Sequence, residues 1–159
     1  MINFREIKET DDPYLYDIIR KNLEAYELNI PGTAYFDENL AHLSQFYISD
    51  KDSRFYLIAE NDGEVVGGVG LDRLEFMEEC AELQKLYLKD NMKGNGFGYK
   101  LVEKIEEKAR QLGYKKMYLE THTNLKTAIH VYKKCGYVQI PKPKEVIHST
   151  MNRFFLKQL

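Results

Sequence analysis

The stretch MKGNGFGYKL, residues 92–101, places three of the chain's ten glycines at every second position, as Gly94, Gly96 and Gly98. Glycines this close together are unfavourable in helices and strands, because glycine loses the most conformational freedom on folding. A strand-like segment precedes the stretch and an amphipathic, helix-like segment follows it. The pattern predicts a strand–loop–helix unit whose loop backbone is closely approached by another group.

Hydrophobic periodicity divides the rest of the chain into helices and strands. Strands are predicted at 2–8, 54–61, 64–74, 80–90 and 116–123, with further strand in 142–159, and NDGE (61–64) predicts a tight hairpin. Helices are predicted at 11–28, 37–49, 97–116 and 124–137. The order β-α-α-β-β-β-α-β-α-β-β predicts an α/β fold, an α+β mixed sheet with helices on both faces. At this length we expect a single domain spanning residues 1–159.

The predicted helices carry recognisable end signals. Asp11 or Asp12 is expected to cap the first helix, and Asp37 the second. Gly113 stands where a C-cap glycine belongs after the third helix. The buried face of the first helix is predicted to comprise Tyr14, Ile18, Ile19 and Leu23.

Composition excludes several classes of function. A formal net charge of −2 and a pI near 6.1 give no reason to expect a nucleic-acid partner. No apolar run approaches the ~20 residues of a membrane span, and the first residues, MINFREIKETDD, lack the apolar core of a signal peptide. We therefore expect a cytoplasmic protein without a membrane partner.

The cysteines and histidines point to no metal. Cys80 and Cys135 are far apart and form no CxxC pattern, which is typical of reduced thiols in a reducing compartment. The four histidines have no metal-ligand spacing; they are His42, His122, His130 and His148. Of these, His122 is expected nearest the site described below.

The glycine loop is best interpreted as an anion site. A dinucleotide fingerprint needs G-x-G-x-x-G, and a phosphate-binding Walker loop needs Gly-Lys-Ser/Thr; neither spacing is present. A structural turn without a ligand is the other alternative. The helix that starts near Phe97 directs the positive end of its dipole at the loop, and Lys93 adds a full charge, so a pyrophosphate fits there.

These residues resemble the GCN5-related N-acetyltransferases, the GNAT family. The pyrophosphate motif of that family, Arg/Gln-x-x-Gly-x-Gly/Ala, is matched by residues 93–98, with Lys93 in place of Arg or Gln. A second family signature is matched by Asn124, Ala128, Tyr132, Gly136 and Tyr137, with tyrosine replacing phenylalanine at the last position. The resemblance covers residues 80–138 and implies the GNAT-like acyl-CoA N-acyltransferase fold.

The resemblance implies acetyl-CoA as cosubstrate, without a metal. The pantetheine arm is expected in a gap between strands 80–90 and 116–123, paired with main-chain groups of Leu86 and Leu88 as an added strand would be. The N–H of Leu86 matches the oxyanion donor of the family. Asn124 is expected to contact the pantetheine and to cap the last helix. The full set of expected cofactor contacts is Leu86, Tyr87, Leu88, Lys93, Gly94, Asn95, Gly96, Phe97, Gly98, Tyr99 and Asn124.

Three residues are candidates for the chemistry. Glu82 and Glu120 match general bases of two different branches of the family, and the sequence leaves open which of them acts. Each could instead be a solvated or ion-paired strand residue. Tyr132 is expected to protonate the departing thiolate or to hydrogen-bond its sulfur.

The resemblance implies an N-acetyltransferase that moves an acetyl group directly to a primary amine of a small amine, amino acid or peptide. A non-catalytic acyl-CoA-binding sensor on the same fold is the alternative; a structural protein whose glycines are mere turns is a third. The acceptor pocket is expected between the two N-terminal helices, where acidic residues among aromatics would suit a cationic amine or merely solvate a helix. A homodimer is an option, because the terminal strand could pair across a sheet edge.

Overall fold

A computed structural model describes residues 1–147 and 149–159. His148, one of the four histidines considered above, lies outside the described residues. The strands are β1 (Ile2–Glu6), β2 (Phe55–Asn61), β3 (Glu64–Arg73), β4 (Cys80–Leu88), β5 (Lys116–Thr121), β6 (Val138–Ile140) and β7 (Arg153–Gln158). The helices are α1 (Asp12–Ala25), α2 (Leu43–Ile48), α3 (Phe97–Gln111) and α4 (Lys126–Lys134). The predicted order of elements is confirmed, but β6 lies before the segment 142–159 in which the last strands were predicted.

The seven strands form one mixed sheet in the order β1-β2-β3-β4-β5-β7-β6. The pairs on both sides of the β4–β5 junction are antiparallel, and β4 and β5 are parallel. A parallel neighbour requires a crossover connection, and α3 supplies it. The mixed α/β class that the periodicity predicted is confirmed.

Helices cover both faces of the sheet because successive strand residues point to opposite sides. In β2, Tyr56 and Ile58 pack in the cluster that contains the buried residues of α1 and α2, whereas Leu57 and Ala59 pack with α3 and α4. Each face therefore has its own apolar layer. At roughly 25 cal/mol per Å² of buried apolar surface, these two layers are the main stabilising contribution.

The helix-end predictions were partly wrong. Asp11 occupies the N-cap position of α1, but its carboxylate binds Arg5 and the Lys8 N–H instead of the helix. Asp12 accepts hydrogen bonds from Ser44. Both carboxylates thus form hydrogen bonds with residues outside α1 instead of capping the helix. Gly113 does follow α3 with φ of +94°, as a C-cap glycine requires.

Two further predictions need correction in this part of the chain. Ile18, Ile19 and Leu23 are buried in α1 as predicted, but Tyr14 is 56% exposed and Leu15 is buried in its place. The second helix was predicted at 37–49 with Asp37 as its cap. It is shorter, because a 3-10 turn at Leu40–His42 precedes α2, and the Asp37 carboxylate pairs with Lys85.

The terminal strand is not an edge strand. Arg153–Gln158 pairs with β5 on one side and with Val138–Ile140 on the other. The edges of the described sheet are β1 and β6. The proposed route to a homodimer, pairing of the terminal strand across an edge, was therefore wrong.

Candidate active site

The sheet opens between β4 and β5. The two strands are paired at only three positions, from Cys80–Lys116 to Glu82–Tyr118, although β4 continues to Leu88. Beyond Glu82, the β4 edge that faces β5 has no strand partner among the described residues. Backbone groups along this edge are thus available to an extended ligand, as the gap expected between these strands requires.

A β-bulge shapes the open part of β4. Gly68 pairs with Tyr87 and Gly70 with Gln84, so Lys85 and Leu86 together oppose the single residue between those two glycines. Lys85 has a φ of +52°, and the Tyr56 hydroxyl donates to its carbonyl oxygen at 2.9 Å. A bulge bends its strand and redirects its backbone. The sequence did not reveal this bulge, which lies next to the predicted oxyanion donor, the Leu86 N–H.

A cleft of about 550 Å³ occupies the opening. One end is bounded by the glycine loop and α4, and the other by carboxylates of β4 and β5 and by residues 32–37. Eleven of the fourteen predicted site residues line this cleft: Glu82, Leu86, Tyr87, Leu88, Lys93, Gly94, Gly96, Gly98, Tyr99, Glu120 and Tyr132. The structure therefore brings together residues that are up to fifty positions apart in the sequence.

The glycine loop presents bare backbone to the cleft. Gly94 and Gly96 both have φ of +80°, a conformation that L residues with side chains rarely adopt. A Cβ added at either position would have no atom within 4 Å. Gly96 is the N-cap of α3, so the unpaired N–H groups of the first helical turn lie beside this open space. The arrangement has the chemical features of an anion site.

Lys93 has partners that the sequence did not predict. Its Nζ donates to Asn22 Oδ1 at 2.7 Å and to Asp90 Oδ1 at 2.9 Å, and lies 4.8 Å from the centre of the Tyr26 ring. The ammonium lines the cleft, but these groups already partner it. The Lys93 ammonium is therefore bound by groups of α1 and by Asp90, and its charge does not act on the glycine loop alone.

Asn22 connects α1 to the end of β4 and to Lys93. Its buried amide donates to the carbonyl oxygens of Ile18 and Leu88, each at 2.9 Å, while its oxygen accepts from Lys93. The Leu88 carbonyl, expected to help hold the pantetheine, thus already accepts a hydrogen bond. An asparagine in a helix gives no sequence signal of such a role.

Glu82 and Glu120 project from the same face of the sheet. Glu82 stands opposite Tyr118 in the parallel register, and Glu120 is two residues further along β5. Gln84 donates to Glu82 Oε1 at 2.9 Å, and the Tyr118 hydroxyl donates to Glu120 Oε2 at 2.8 Å. Burial raises the pKa of Glu82, and the charge of Glu120 raises it further, although the Gln84 hydrogen bond opposes the shift. Glu82 therefore holds a proton more tightly than an exposed glutamate.

Tyr132 reaches the cleft from the opposite layer. Its side chain is 6% exposed and packs at 6.0 Å from Tyr137 and 6.4 Å from Phe155, measured between ring centres. Burial raises the pKa of Tyr132 above its ordinary value. A phenol is protonated at neutral pH even at its ordinary pKa, so Tyr132 can act as a hydrogen-bond donor.

Three predicted contacts do not line the cleft, namely Asn95, Phe97 and Asn124. Asn124 makes no side-chain cap: the N-cap of α4 is Leu125, and Asn124 Nδ2 donates to the Tyr26 carbonyl oxygen at 3.0 Å. His122, expected nearest the site, accepts the Asn124 N–H, whereas His130 lines the cleft. The capping prediction for Asn124 was therefore wrong, and this residue ties the start of α4 to the end of α1.

The described residues contain no group of three or more side chains suited to hold a metal ion. Among the same residues, no helix has the length and apolar character needed to cross a membrane.

Comparison with known proteins identifies the family. A sequence model of the acetyltransferase (GNAT) family matches residues 13–137, which is most of the chain. The chain belongs to the GNAT family. Within this GNAT protein, the matched region runs from α1 to the residue after Gly136 and so includes the whole glycine loop.

Its relatives and structural neighbours agree with this assignment. An uncharacterized N-acetyltransferase of Escherichia coli K12, YjgM, is 36% identical over 138 residues, covering 86% of this chain and 81% of that one. A spermidine N(1)-acetyltransferase of Vibrio cholerae is 24% identical over 140 residues, covering 87% and 79%.

Solved GNAT structures share the fold. An acetyltransferase of the GNAT family from Staphylococcus aureus Mu50 has a TM-score of 0.84 at 21% identity, covering 99% of each chain. The PaiA N-acetyltransferase of Thermoplasma acidophilum, solved in complex with coenzyme A, has a TM-score of 0.79 at 18% identity, covering 100% of this chain and 99% of that one. At these identities the likeness establishes the GNAT fold.

Proposed function

We propose that the protein transfers the acetyl group of acetyl-CoA directly to a primary amine. One observation carries the proposal: a single cleft is lined by the glycine loop, the open edge of β4, two carboxylates and a buried phenol. The coenzyme A complex of the Thermoplasma acidophilum neighbour, on the same fold, supports the cosubstrate. So does a Salmonella typhimurium acetyltransferase structure with acetyl-CoA, which has a TM-score of 0.77 at 16% identity and covers 99% of this chain and 94% of that one.

The proposed cofactor contacts follow the cleft from one end to the other. Backbone N–H groups of residues 94–98 would hold the diphosphate, assisted by the dipole of α3. The unpaired edge of β4 at Leu86 and Leu88 would hold the pantetheine. The Leu86 N–H, at the bulge, would donate to the carbonyl oxygen as negative charge develops on it; such donors contribute roughly 3–4 kcal/mol in other acyl-transfer enzymes.

The acceptor must lose a proton before it attacks. An alkyl ammonium has a pKa of about 10.4, so a positioned base is required at neutral pH. We assign this role to the pair Glu82 and Glu120, directly or through water. A base works best when its pKa approaches the operating pH, and the raised pKa of Glu82 is in that direction.

The remaining steps balance without a further reactant. The amine nitrogen attacks the thioester carbonyl, a C–N bond forms, and the C–S bond breaks. The attacking nitrogen loses its second proton as the intermediate collapses, and this proton balances the one that the thiolate takes up. Tyr132, whose buried phenol is protonated at neutral pH, would donate a hydrogen bond or its proton to the departing thiolate, and the proton released by the attacking nitrogen would restore the phenol. Neither Cys80 nor Cys135 lines the cleft, and burial raises the pKa of Cys80 to about 11, so direct transfer is favoured over an acyl-cysteine.

A thiol-release assay with acetyl-CoA and a panel of amines tests the proposal. We expect CoA release that depends on an amine and falls in Tyr132→Phe. Calorimetric titration with CoA accompanies the assay. Tight CoA binding without amine-dependent release across the panel would instead favour the acyl-CoA-binding sensor, and absence of CoA binding would contradict both functions.

A further inference from the structure

The end of the cleft lined by the carboxylates of β4 and β5 and by residues 32–37, here called the acceptor end, carries an excess of negative charge. Among the described residues, the charged side chains that line this end are three carboxylates and one ammonium, namely Asp37, Glu82, Glu120 and Lys85. Their formal charge is −2 when all are ionised. Lys93 lies at the other end, at the glycine loop, and His130 is on α4. A cationic acceptor is thus favoured at this end over a neutral or anionic one.

Lys85 forms an ion pair with neither glutamate, although its charge acts on Glu82 and opposes the larger effect of burial on the pKa of that carboxyl. Its Nζ lies 3.3 Å from Asp37 Oδ2, and the Lys85 side chain is only 18% exposed. This pair cancels its own charge and leaves Glu82 and Glu120 as the net negative groups.

Glu82 and Glu120 have only neutral hydrogen-bond partners. Gln84 donates to Glu82, while Tyr118 and Ser149 donate to Glu120, the latter at 3.3 Å. None of the ion pairs among the described residues includes either glutamate. Partly buried carboxylates without a cation are costly, and a bound cation relieves that cost.

In the proposed reaction only one of these two carboxylates becomes protonated. When one carboxylate takes the proton of the reacting ammonium, the other remains negative and faces the acceptor. We propose, on the basis of the proposed function, that the acceptor is a diamine or related polycation, with a second cationic group near this carboxylate and no carboxylate of its own. An amino acid would add a further negative charge, with Lys85 already engaged by Asp37.

Three probes of matched length test the inference: 1,5-diaminopentane, pentylamine and lysine. Pentylamine lacks the second ammonium, and lysine adds a carboxylate to the diamine. In the thiol-release assay we expect kcat/KM for the diamine to exceed kcat/KM for pentylamine by roughly tenfold, which is the scale of one solvent-screened charge pair. We expect kcat/KM for the diamine to exceed kcat/KM for lysine by a larger factor.

The variant Asp37→Asn tests the charge argument separately. It frees the Lys85 ammonium, so the preference for the diamine over lysine should fall by roughly tenfold. Glu38→Gln is the matched control, because Glu38 is exposed, adjacent and outside the cleft lining; its preference should be unchanged.

The outcomes separate the inference from the proposed function. Equal or better turnover of pentylamine or lysine would overturn the inference and leave the transferase function intact. Turnover of none of the three probes would also overturn it, and the proposed function fails only if the wider amine panel shows no release. An unchanged preference in Asp37→Asn would overturn the role given to Lys85.

Discussion

Replacing Gly96 with alanine tests the glycine loop in a way that separates folding from cofactor binding. Gly96 has φ of +80° and nothing within 4 Å of an added Cβ, so the variant suffers backbone strain without a clash. A left-handed conformation costs a residue with a side chain about 1–2 kcal/mol. At roughly 2–4 °C per kcal/mol for a chain of this size, the melting temperature should fall by about 2–8 °C.

Gly63 provides the matched control. It lies in the β2–β3 hairpin with φ of +83°, also has nothing within 4 Å of an added Cβ, and is not part of the cleft lining. Gly63→Ala should therefore lose a similar amount of stability. Only Gly96→Ala should lose CoA affinity, since its Cβ enters the space assigned to the diphosphate.

The expected loss of affinity follows from the bonds displaced. Two charge-assisted hydrogen bonds at about 1.5–3 kcal/mol each correspond to at least roughly a hundredfold weaker CoA binding. Calorimetric titration with CoA and thermal unfolding measure the two effects on the same samples. Equal CoA affinity in Gly96→Ala and Gly63→Ala would refute the placement of the diphosphate.

Three further variants address the rest of the site. Tyr132→Phe should lower kcat by about a hundredfold with CoA affinity unchanged, because a proton donor contributes roughly that much. Glu82→Gln should gain most stability relative to the wild type at neutral pH. Because the pKa of Glu82 is raised in the folded protein, its protonation favours folding when the pH is below the ordinary glutamate pKa, and this contribution is lost as the pH rises through the raised pKa. Asn22→Ala should lower the free energy of unfolding by about 1–3 kcal/mol, because the Leu88 carbonyl and Lys93 lose a buried partner.

Each of these has a distinct contrary result. Unchanged turnover in Tyr132→Phe would remove the phenol from the mechanism. A stability difference between wild type and Glu82→Gln that does not vary from pH 4 to pH 8 in thermal unfolding would contradict the raised pKa. Urea unfolding of Asn22→Ala should be compared with Asn124→Ala, whose amide is exposed; equal losses would contradict the structural role of Asn22.

Much of the fold could be predicted because local signals and tertiary packing agree. The 3.6-residue pattern of α3 predicts a core face of Leu101, Ile105, Ala109 and Leu112; the first three are fully buried and Leu112 packs partly buried against them. The hairpin NDGE forms with positive φ at Asp62 and Gly63, as its sequence indicates. The spacing of the glycine loop relative to α3 likewise needed no information from distant residues.

The errors arose where distant residues compete for a side chain. Asp12 and Asn124 have the residue types of helix caps, but Ser44 and Tyr26, both far away in the sequence, bind them instead. The β4 bulge at Lys85 was missed although the alternation of β4 breaks there, where two polar residues, Gln84 and Lys85, follow one another. A hint existed in β3, where GGVG (67–70) supplies glycines that a neighbouring backbone or ring approaches closely.

A crystal structure of the protein with CoA measures the central claim directly. The account predicts diphosphate oxygens about 3 Å from backbone nitrogens of residues 94–98, with the pantetheine along the open edge of β4. A diphosphate bound elsewhere, with the loop and the β4–β5 gap free of CoA, would contradict it.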